Sequence, residues 1–366
     1  MKYYIIAGEA SGDLHGSNLI KEIHKLDTVA KIQCWGGDKM QTAGATLVKH
    51  YRDLAFMGFT EVIKNLPTIF KNIGFCKKDI NRFEPDVLIL IDYPGFNMRI
   101  AKWARSKNIK IVYYISPQIW AWKEKRVHAI KRDVNKMLVI LPFEKDFYKK
   151  YNYEVDYVGH PLAEVVTDFK NEHPSIQKEN IIALLPGSRK QEILIKLPIM
   201  LSVAKHFPTY KFVVAKAPGL QDEFYDTILS PYDNVGSVSN ETYALLSKAK
   251  AALVTSGTAT LETALFAVPE IICYKGGKIS YEIAKRLIKI KFIGLVNLIM
   301  DREVVKELIQ DELNEKNIVA ELNMLLTENE KSIQLKKDYG NLFSLLAKGG
   351  HASGNAAKII YNYVKK

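Results

Sequence analysis

The sequence predicts an α/β protein whose two halves each alternate buried strands with helices. Two turns and the totals carry that expectation. In 181–193, I-I-A-L-L-P-G-S-R-K-Q-E-I, five apolar residues run into Pro186-Gly187-Ser188-Arg189 and then into a helical pattern. A short apolar run, a Gly turn and a helix start read as a buried parallel strand with its βα turn. The pattern returns at Leu253-Val254-Thr255-Ser256-Gly257-Thr258-Ala259-Thr260-Leu261-Glu262. The chain has 366 residues, 48% hydrophobic and 25% charged, which is ordinary globular composition and length enough for two domains.

The totals also exclude. No uncharged apolar run approaches the ~18 residues of a membrane span. The N-terminus enters a strand directly, so no signal peptide is expected. Cys34, Cys76 and Cys273 are far apart and form no C-x-x-C, which fits a reducing cytoplasm and argues against a zinc site or disulfide framework. Net charge is +12. Such a surface suits nucleic acid, anionic lipid or phosphorylated substrates, or is simple solvated excess; no nucleic-acid-binding motif is present, so no nucleic acid partner is expected.

Residues 2–7 form the first strand, followed by the turn Gly8-Glu9-Ala10-Ser11-Gly12-Asp13 and a helix from Leu14 to Lys25. The glycines do not match G-x-G-x-x-G, so a dinucleotide fingerprint is absent. A second strand, Ile32–Trp35, ends at Gly36-Gly37-Asp38. Phe59, Val62, Ile63, Leu66, Ile69, Phe70 and Ile73 then fall at helical spacing, with Pro67 starting a second helix and lysines flanking the face. This segment reads either as a core-facing amphipathic helix or as an apolar patch with a basic rim that dips into a membrane surface. Pro85-Asp86-Val87-Leu88-Ile89-Leu90-Ile91-Asp92 reads as a fully apolar strand with acids at both ends, and Asp92 lies at its carboxyl end, where open α/β sheets place ligands. The following Tyr93-Pro94-Gly95-Phe96-Asn97 reads as a sharp turn that leaves Asp92 facing the crevice, as a general base or as a helix cap. Strands at 111–115, 137–141 and 155–158 follow. Trp120 and Trp122, beside a basic helix, either line an apolar channel or pack the core.

A polar stretch at 171–180 marks the boundary between domains 1–170 and 171–345. Strands are expected near 181–185, 211–215, 251–255 and 270–274, and a basic amphipathic helix over 275–292. Residues 303–365 read as mostly helical, with a Gly-rich break before a final helix in 346–366. That helix is open to two placements: back across to the first domain, or exchanged with a partner chain in a homodimer.

The chemistry sits at the turns. Free N–H groups at a helix start attract an anion, and Arg189 adds a bidentate phosphate donor. The alternative is an Arg paired with a nearby carboxylate. Glu262 lies one helical turn after Thr258, placed to hold a ribose hydroxyl while phosphate rests on the small-residue turn; the alternative is a first-turn acid complementing the helix dipole. There is no D-x-D, so a diphosphate clamped by metal-bound aspartates is unsupported, and neither metal nor cofactor is expected.

Together these motifs resemble lipid A disaccharide synthase, a glycosyltransferase family of GT-B type. The resemblance rests on A-G-E-A-S-G-D (7–13), F-M-G-F-T-E-V (56–62), D-Y-P-G-F-N (92–97), S-P-Q-I-W-A-W (116–122), L-P-F-E (141–144), G-H-P-L (159–162), L-L-P-G-S-R (184–189), S-G-T-A-T-L-E (256–262) and A-K-R-L-I-K (284–289). It implies two Rossmann-like parallel-sheet domains facing an interdomain crevice. It implies transfer of the sugar of UDP-2,3-diacylglucosamine to 2,3-diacylglucosamine 1-phosphate, with inversion and without metal. It assigns Asp92 as base for the acceptor hydroxyl. Gly187, Ser188, Arg189, Ser256, Gly257, Thr258, Glu262 and Asn297 fall on the UDP side, and Glu9, Ser11 and Gly12 on the acceptor side. Because both substrates carry acyl chains, Phe59, Val62, Ile63, Leu66, Ile69, Phe70, Trp120 and Trp122 become membrane- or acyl-facing. The expected location is the cytoplasmic face of the inner membrane, on anionic lipid. Two rivals remain: an enzyme of the same fold acting on soluble UDP-N-acetylglucosamine, and a non-catalytic basic binding protein.

Overall fold

A computed structural model describes residues 1–54, 66–217, 220–277, 281 and 291–366, without the side chains of Leu54, Leu66 and Trp122. The chain divides into two compact units, Met1–Pro161 with Ala347–Lys366, and Leu162–Leu346.

In the first unit, β1 (Lys2–Ala7), β2 (Lys31–Gly36), β3 (Thr46–His50), β4 (Val87–Ile91), β5 (Lys110–Tyr114), β6 (Lys136–Val139) and β7 (Asp156–Tyr157) form one sheet. Among the described residues its order is β3-β2-β1-β4-β5-β6-β7 and every pairing is parallel. Val87-Leu88-Ile89-Leu90-Ile91 is buried at every position, as a strand covered on both faces requires. One face packs with Ile73, Cys76 and Ile80 of the helix Leu66–Phe83 and with Ile100 and Ala104 of the helix Pro94–Ser106. The other packs with Leu19, Ile20 and Ile23 of the helix Ala10–Leu26 and with Ala356, Ala357 and Ile360 of the helix Ala352–Lys365.

The second unit repeats the plan. β8 (Ile181–Leu185), β9 (Lys211–Lys216), β10 (Val235–Ser239), β11 (Ala251–Thr255), β12 (Glu270–Tyr274) and β13 (Lys306–Ile309) run parallel in the order β10-β9-β8-β11-β12-β13. Leu162, Ala163 and Val166 of the helix Pro161–Glu172 are buried in its core. In each sheet the strand order reverses once, between β1 and β4 and between β8 and β11. Open α/β sheets place ligands outside the carboxyl ends of the strands at such a reversal.

Three strands escape the sequence reading: β3, β10 and β13. The last lies inside 303–365, so that stretch is not simply helical. The helix expected over 275–292 falls mostly outside the described residues.

Glu270 opens β12, is 1% exposed, and neither carboxyl oxygen has a hydrogen-bond partner among the described residues. Burial drives its carboxyl well above the usual range. An acid whose folded pKa exceeds its unfolded value favours folding while protonated. Stability is therefore lost as pH rises past the unfolded carboxylate range. Glu270→Met is expected to raise unfolding stability by about 1–3 kcal/mol near pH 8 and by less near pH 4. Thermal melts at both pH values check this; an equal difference at both would show that the carboxyl does not titrate.

Candidate active site

At the strand-order reversal of the first sheet the chain turns a corner that the sequence reading placed one residue too late. Pro94 and Gly95 already belong to the helix Pro94–Ser106. The chain turns instead at Asp92 and Tyr93, two consecutive non-glycine residues at φ +42° and +49°. Such residues cost of order 1–3 kcal/mol each and persist only where the surroundings fix them. Here Asn97 Nδ2 donates to the carbonyls of Ile91 (3.2 Å) and Asp92 (2.7 Å), and Tyr113 Oη donates to the same Asp92 carbonyl at 2.6 Å. The Tyr93 ring stacks on Phe96 and covers Gly8, where a Cβ would lie 2.3 Å from the ring. Gly8 is therefore required by close approach, which ties the β1 turn to the β4 turn.

The Asp92 side chain is held in this corner with its pKa pushed up to about 7. Burial is the main cause and the Glu9 carboxylate adds to it, while the Tyr93 N–H opposes both. Glu9 and Ser11 are exposed at the start of the helix Ala10–Leu26. Gly12 is buried instead, where a Cβ would press on Ala7 at 3.0 Å. Asp13 is a structural acid: its carboxylate accepts from Gly37 N (2.8 Å), Lys39 N (3.2 Å) and Met40 N (3.0 Å). Asn97, Tyr113 and Asp13 received no role from the sequence, although Asn97 ends the D-Y-P-G-F-N run.

Trp120 is half-buried against the first unit's core, its ring edge-on to Phe143 at 4.9 Å. Nearby, Glu144 is buried and accepts from Leu141 N at 3.0 Å, and Ser116 Oγ meets Tyr148 Oη at 2.7 Å. On the helix Leu66–Phe83, Ile73 is buried and Ile69 leans on the core, whereas Phe70 (60%) and Phe75 (46%) are exposed. The apolar face thus divides: Ile69 and Ile73 pack inward and Phe70 stands out. Phe59, Val62 and Ile63 lie outside the described residues, as do the side chains of Leu66 and Trp122.

In the second unit the two turns use one device. Gly187 (φ +112°) and Gly257 (φ +141°), the second residues after β8 and β11 respectively, occupy a backbone region that favours glycine. Ser188, Arg189, Gly257 and Thr258 are exposed, and the helices Lys190–Leu201 and Thr258–Leu265 begin there. Arg189 Nη1 donates to Glu192 Oε1 at 3.1 Å, and Glu192 Oε2 accepts from the buried Lys196 at 3.4 Å. The Arg189 side chain is 60% exposed. Such surface pairs are worth about 0–1 kcal/mol, so an incoming phosphate can take over the guanidinium. Glu262 is half-buried, accepts from Tyr243 Oη at 3.3 Å, and burial raises its pKa.

Two of the residues expected on the nucleotide side make hydrogen bonds within the protein. Ser256 Oγ donates to the Ile293 carbonyl at 3.2 Å, so its hydroxyl proton is already committed. Asn297 is fully buried: Nδ2 donates to Val305 O (2.8 Å) and Glu307 Oε1 (2.9 Å), and Oδ1 accepts from Val304 N (2.7 Å) and Val305 N (3.0 Å). Its amide is spent inside the protein.

Comparison with known proteins fits this arrangement. The family model described as Lipid-A-disaccharide synthetase matches residues 3–360. The lipid-A-disaccharide synthase of Geobacter metallireducens is 37% identical, over 99% of this chain and 97% of its own length. The chain belongs to the lipid-A-disaccharide synthetase family. Its activity is therefore that of a glycosyltransferase of lipid A biosynthesis. Solved structures agree at the level of fold: the glycotransferase of kitacinnamycin superposes with TM-score 0.67 at 12% identity, covering 99% of this chain and 98% of its own. UDP-GlcNAc 2-epimerase from Neisseria meningitidis, bound to UDP-GlcNAc, gives 0.61 at 15%, with both chains covered in full. The two parallel-sheet α/β domains are thus those of GT-B glycosyltransferases and epimerases, and family membership favours the lipid A reading over the soluble-sugar one.

For this family member the Asp92 corner makes a direct prediction. Gly8→Ala is expected to destabilise the fold by about 1–3 kcal/mol through overpacking against Tyr93, and to lower glycosyl transfer. Adding Tyr93→Ala should recover part of the stability by vacating the space. Urea unfolding of the single and double variants checks this; independent, additive losses would show that the two residues do not meet.

Proposed function

We propose that the chain joins UDP-2,3-diacylglucosamine to 2,3-diacylglucosamine 1-phosphate, with Asp92 as general base and the β8 and β11 turns as the UDP-binding elements. The acceptor 6-hydroxyl oxygen bonds to the anomeric carbon, its proton passes to Asp92, and the bond to the diphosphate oxygen breaks with its electron pair leaving on UDP. Inversion follows from that direct displacement. The observation that carries the reading is the placement of a carboxyl with pKa about 7 at the switch point of the first sheet. A base is most effective when its pKa lies near the working pH. On the donor side, helix-start N–H groups and Arg189 take up diphosphate charge, and Glu262 takes a ribose hydroxyl. No metal is required in this scheme.

The substrates' acyl chains call for a lipid surface. Among the described residues no helix is long and apolar enough to cross a membrane. Phe70 and Phe75 are exposed on a helix that also carries Lys71, Lys77 and Lys78. Apolar side chains with a basic rim suit peripheral binding to an anionic leaflet, which is the location we infer.

UDP release from the donor, with and without acceptor, in detergent and EDTA, tests the proposal. Acceptor-dependent turnover should survive EDTA, and Asp92→Asn should lower kcat by roughly 10²–10⁴-fold. The base must be ionised to work, so kcat/KM should rise with pH through about 7. Glu9→Gln removes a charge that raises the Asp92 pKa, and should move that limb to lower pH. A fully active Asp92→Asn enzyme would remove Asp92 from the role. Separately, Phe70→Ser with Phe75→Ser should weaken sedimentation with anionic vesicles by several-fold, an effect that charge-neutral vesicles would not show.

A further inference from the structure

We propose that Glu307 is a positioning residue for the donor site: it fixes the Ser256-Gly257-Thr258 turn through the backbone of Ile293. This rests on the reading that UDP sits on that turn. Glu307 lies on β13, opposite Ile272 of β12, and is buried. A buried carboxylate is costly unless it is fully hydrogen-bonded. Glu307 Oε2 accepts from Ile293 N at 2.9 Å, and Oε1 accepts from Gly294 N at 2.9 Å and from Asn297 Nδ2 at 2.9 Å. Asn297 in turn grips Val304 and Val305, the residues leading into β13. The segment 293–294 is thereby locked to the edge strand from two sides.

The other end of that segment reaches the crevice. The Ile293 carbonyl accepts from Ser256 Oγ at 3.2 Å, and Ser256 is the first residue after β11. A continuous hydrogen-bonded path therefore runs from Glu307 through the Ile293 peptide to the turn. Its effect is directional. With the Ser256 proton committed to Ile293, the turn keeps one orientation and presents the N–H groups at the start of the helix Thr258–Leu265. Charge on Glu307 also suits the neighbouring amino end of the helix Leu295–Met300. An apolar residue at 307 would fill the same space without holding two backbone N–H groups, so the carboxylate is explained by the segment it positions.

The test measures UDP affinity by calorimetry, with kcat and KM for the UDP-sugar, in Glu307→Gln, Ser256→Ala and the double variant. Glu307→Gln places an amide NH₂ against a backbone N–H and breaks one anchor. Each single variant should weaken UDP about tenfold, raise KM more than it lowers kcat, and the double variant should be no weaker than the worse single. Multiplied losses in the double variant would overturn the path. So would a Glu307→Gln protein that melts earlier but binds UDP as wild type does. If Ser256→Ala itself leaves UDP affinity unchanged, the placement of UDP on this turn fails and the proposal with it. Should Glu307→Gln not fold, Glu307→Asp keeps the charge on a shorter arm and must show the same non-additivity with Ser256→Ala. As a further readout in a folded protein, Ser256→Ala should speed amide exchange at Ile293 and Gly294; unchanged exchange there would count against the link.

Discussion

Parallel strands cannot be joined by hairpins, and the crossovers this forces govern where chemistry can occur. Each sheet lays its first strand in the middle and builds outward in both directions. Consecutive crossovers therefore leave β1 and β4, and again β8 and β11, on diverging paths. Two turns at the same edge are left uncovered in each sheet. Glu9, Asp92, Arg189, Ser256 and Glu262 all lie on those four turns or in the first helical turns after them.

The two units spend this opportunity differently. The second uses glycine where the backbone must enter the left-handed region, so its turns are relaxed and open to an anion. The first places Asp92 and Tyr93 there, and needs Asn97, Tyr113 and a bare Gly8 to keep them in place. Strain and burial act together on Asp92: the corner holds the carboxyl half-buried beside Glu9, and that position raises its proton affinity. The conformational penalty and the raised pKa have one origin: the corner that strains the backbone is also what buries the carboxyl.

Much of this was legible in the sequence, for identifiable reasons. Central strands such as 87–91 and 181–185 are apolar at every position because both faces are covered, and their shortness and flanking turn residues separate them from buried helices. The four turns carry Gly, Ser, Thr or acids where strands stop. The missed strands, β3, β10 and β13, all lie at sheet edges. Their patterns, T-L-V-K-H, V-G-S-V-S and K-E-L-I, are mixed because, among the described residues, one side of each strand has no neighbour; pairing, not periodicity, decides their state. The bracing role of Asn297 was not legible for a related reason: a buried amide that ties loop to strand looks in sequence like one that awaits a ligand. The turn was read as Tyr93–Asn97 and so began one residue late, because strain held by tertiary contacts at Asp92 and Tyr93 leaves no local mark.

The helix Ala352–Lys365 has a consequence for how the protein is made. Its Ala356, Ala357 and Ile360 help to cover the face formed by Tyr3, Ile5 and Val112. On the ribosome, those strands emerge early, but this part of their cover cannot arrive until all of Leu162–Leu346 has been translated. The N-terminal half thus waits, partly uncovered, while the C-terminal half completes its own core. A premature stop codon just before Ala352 would spare the sheet nearest to it in sequence and damage the one made first.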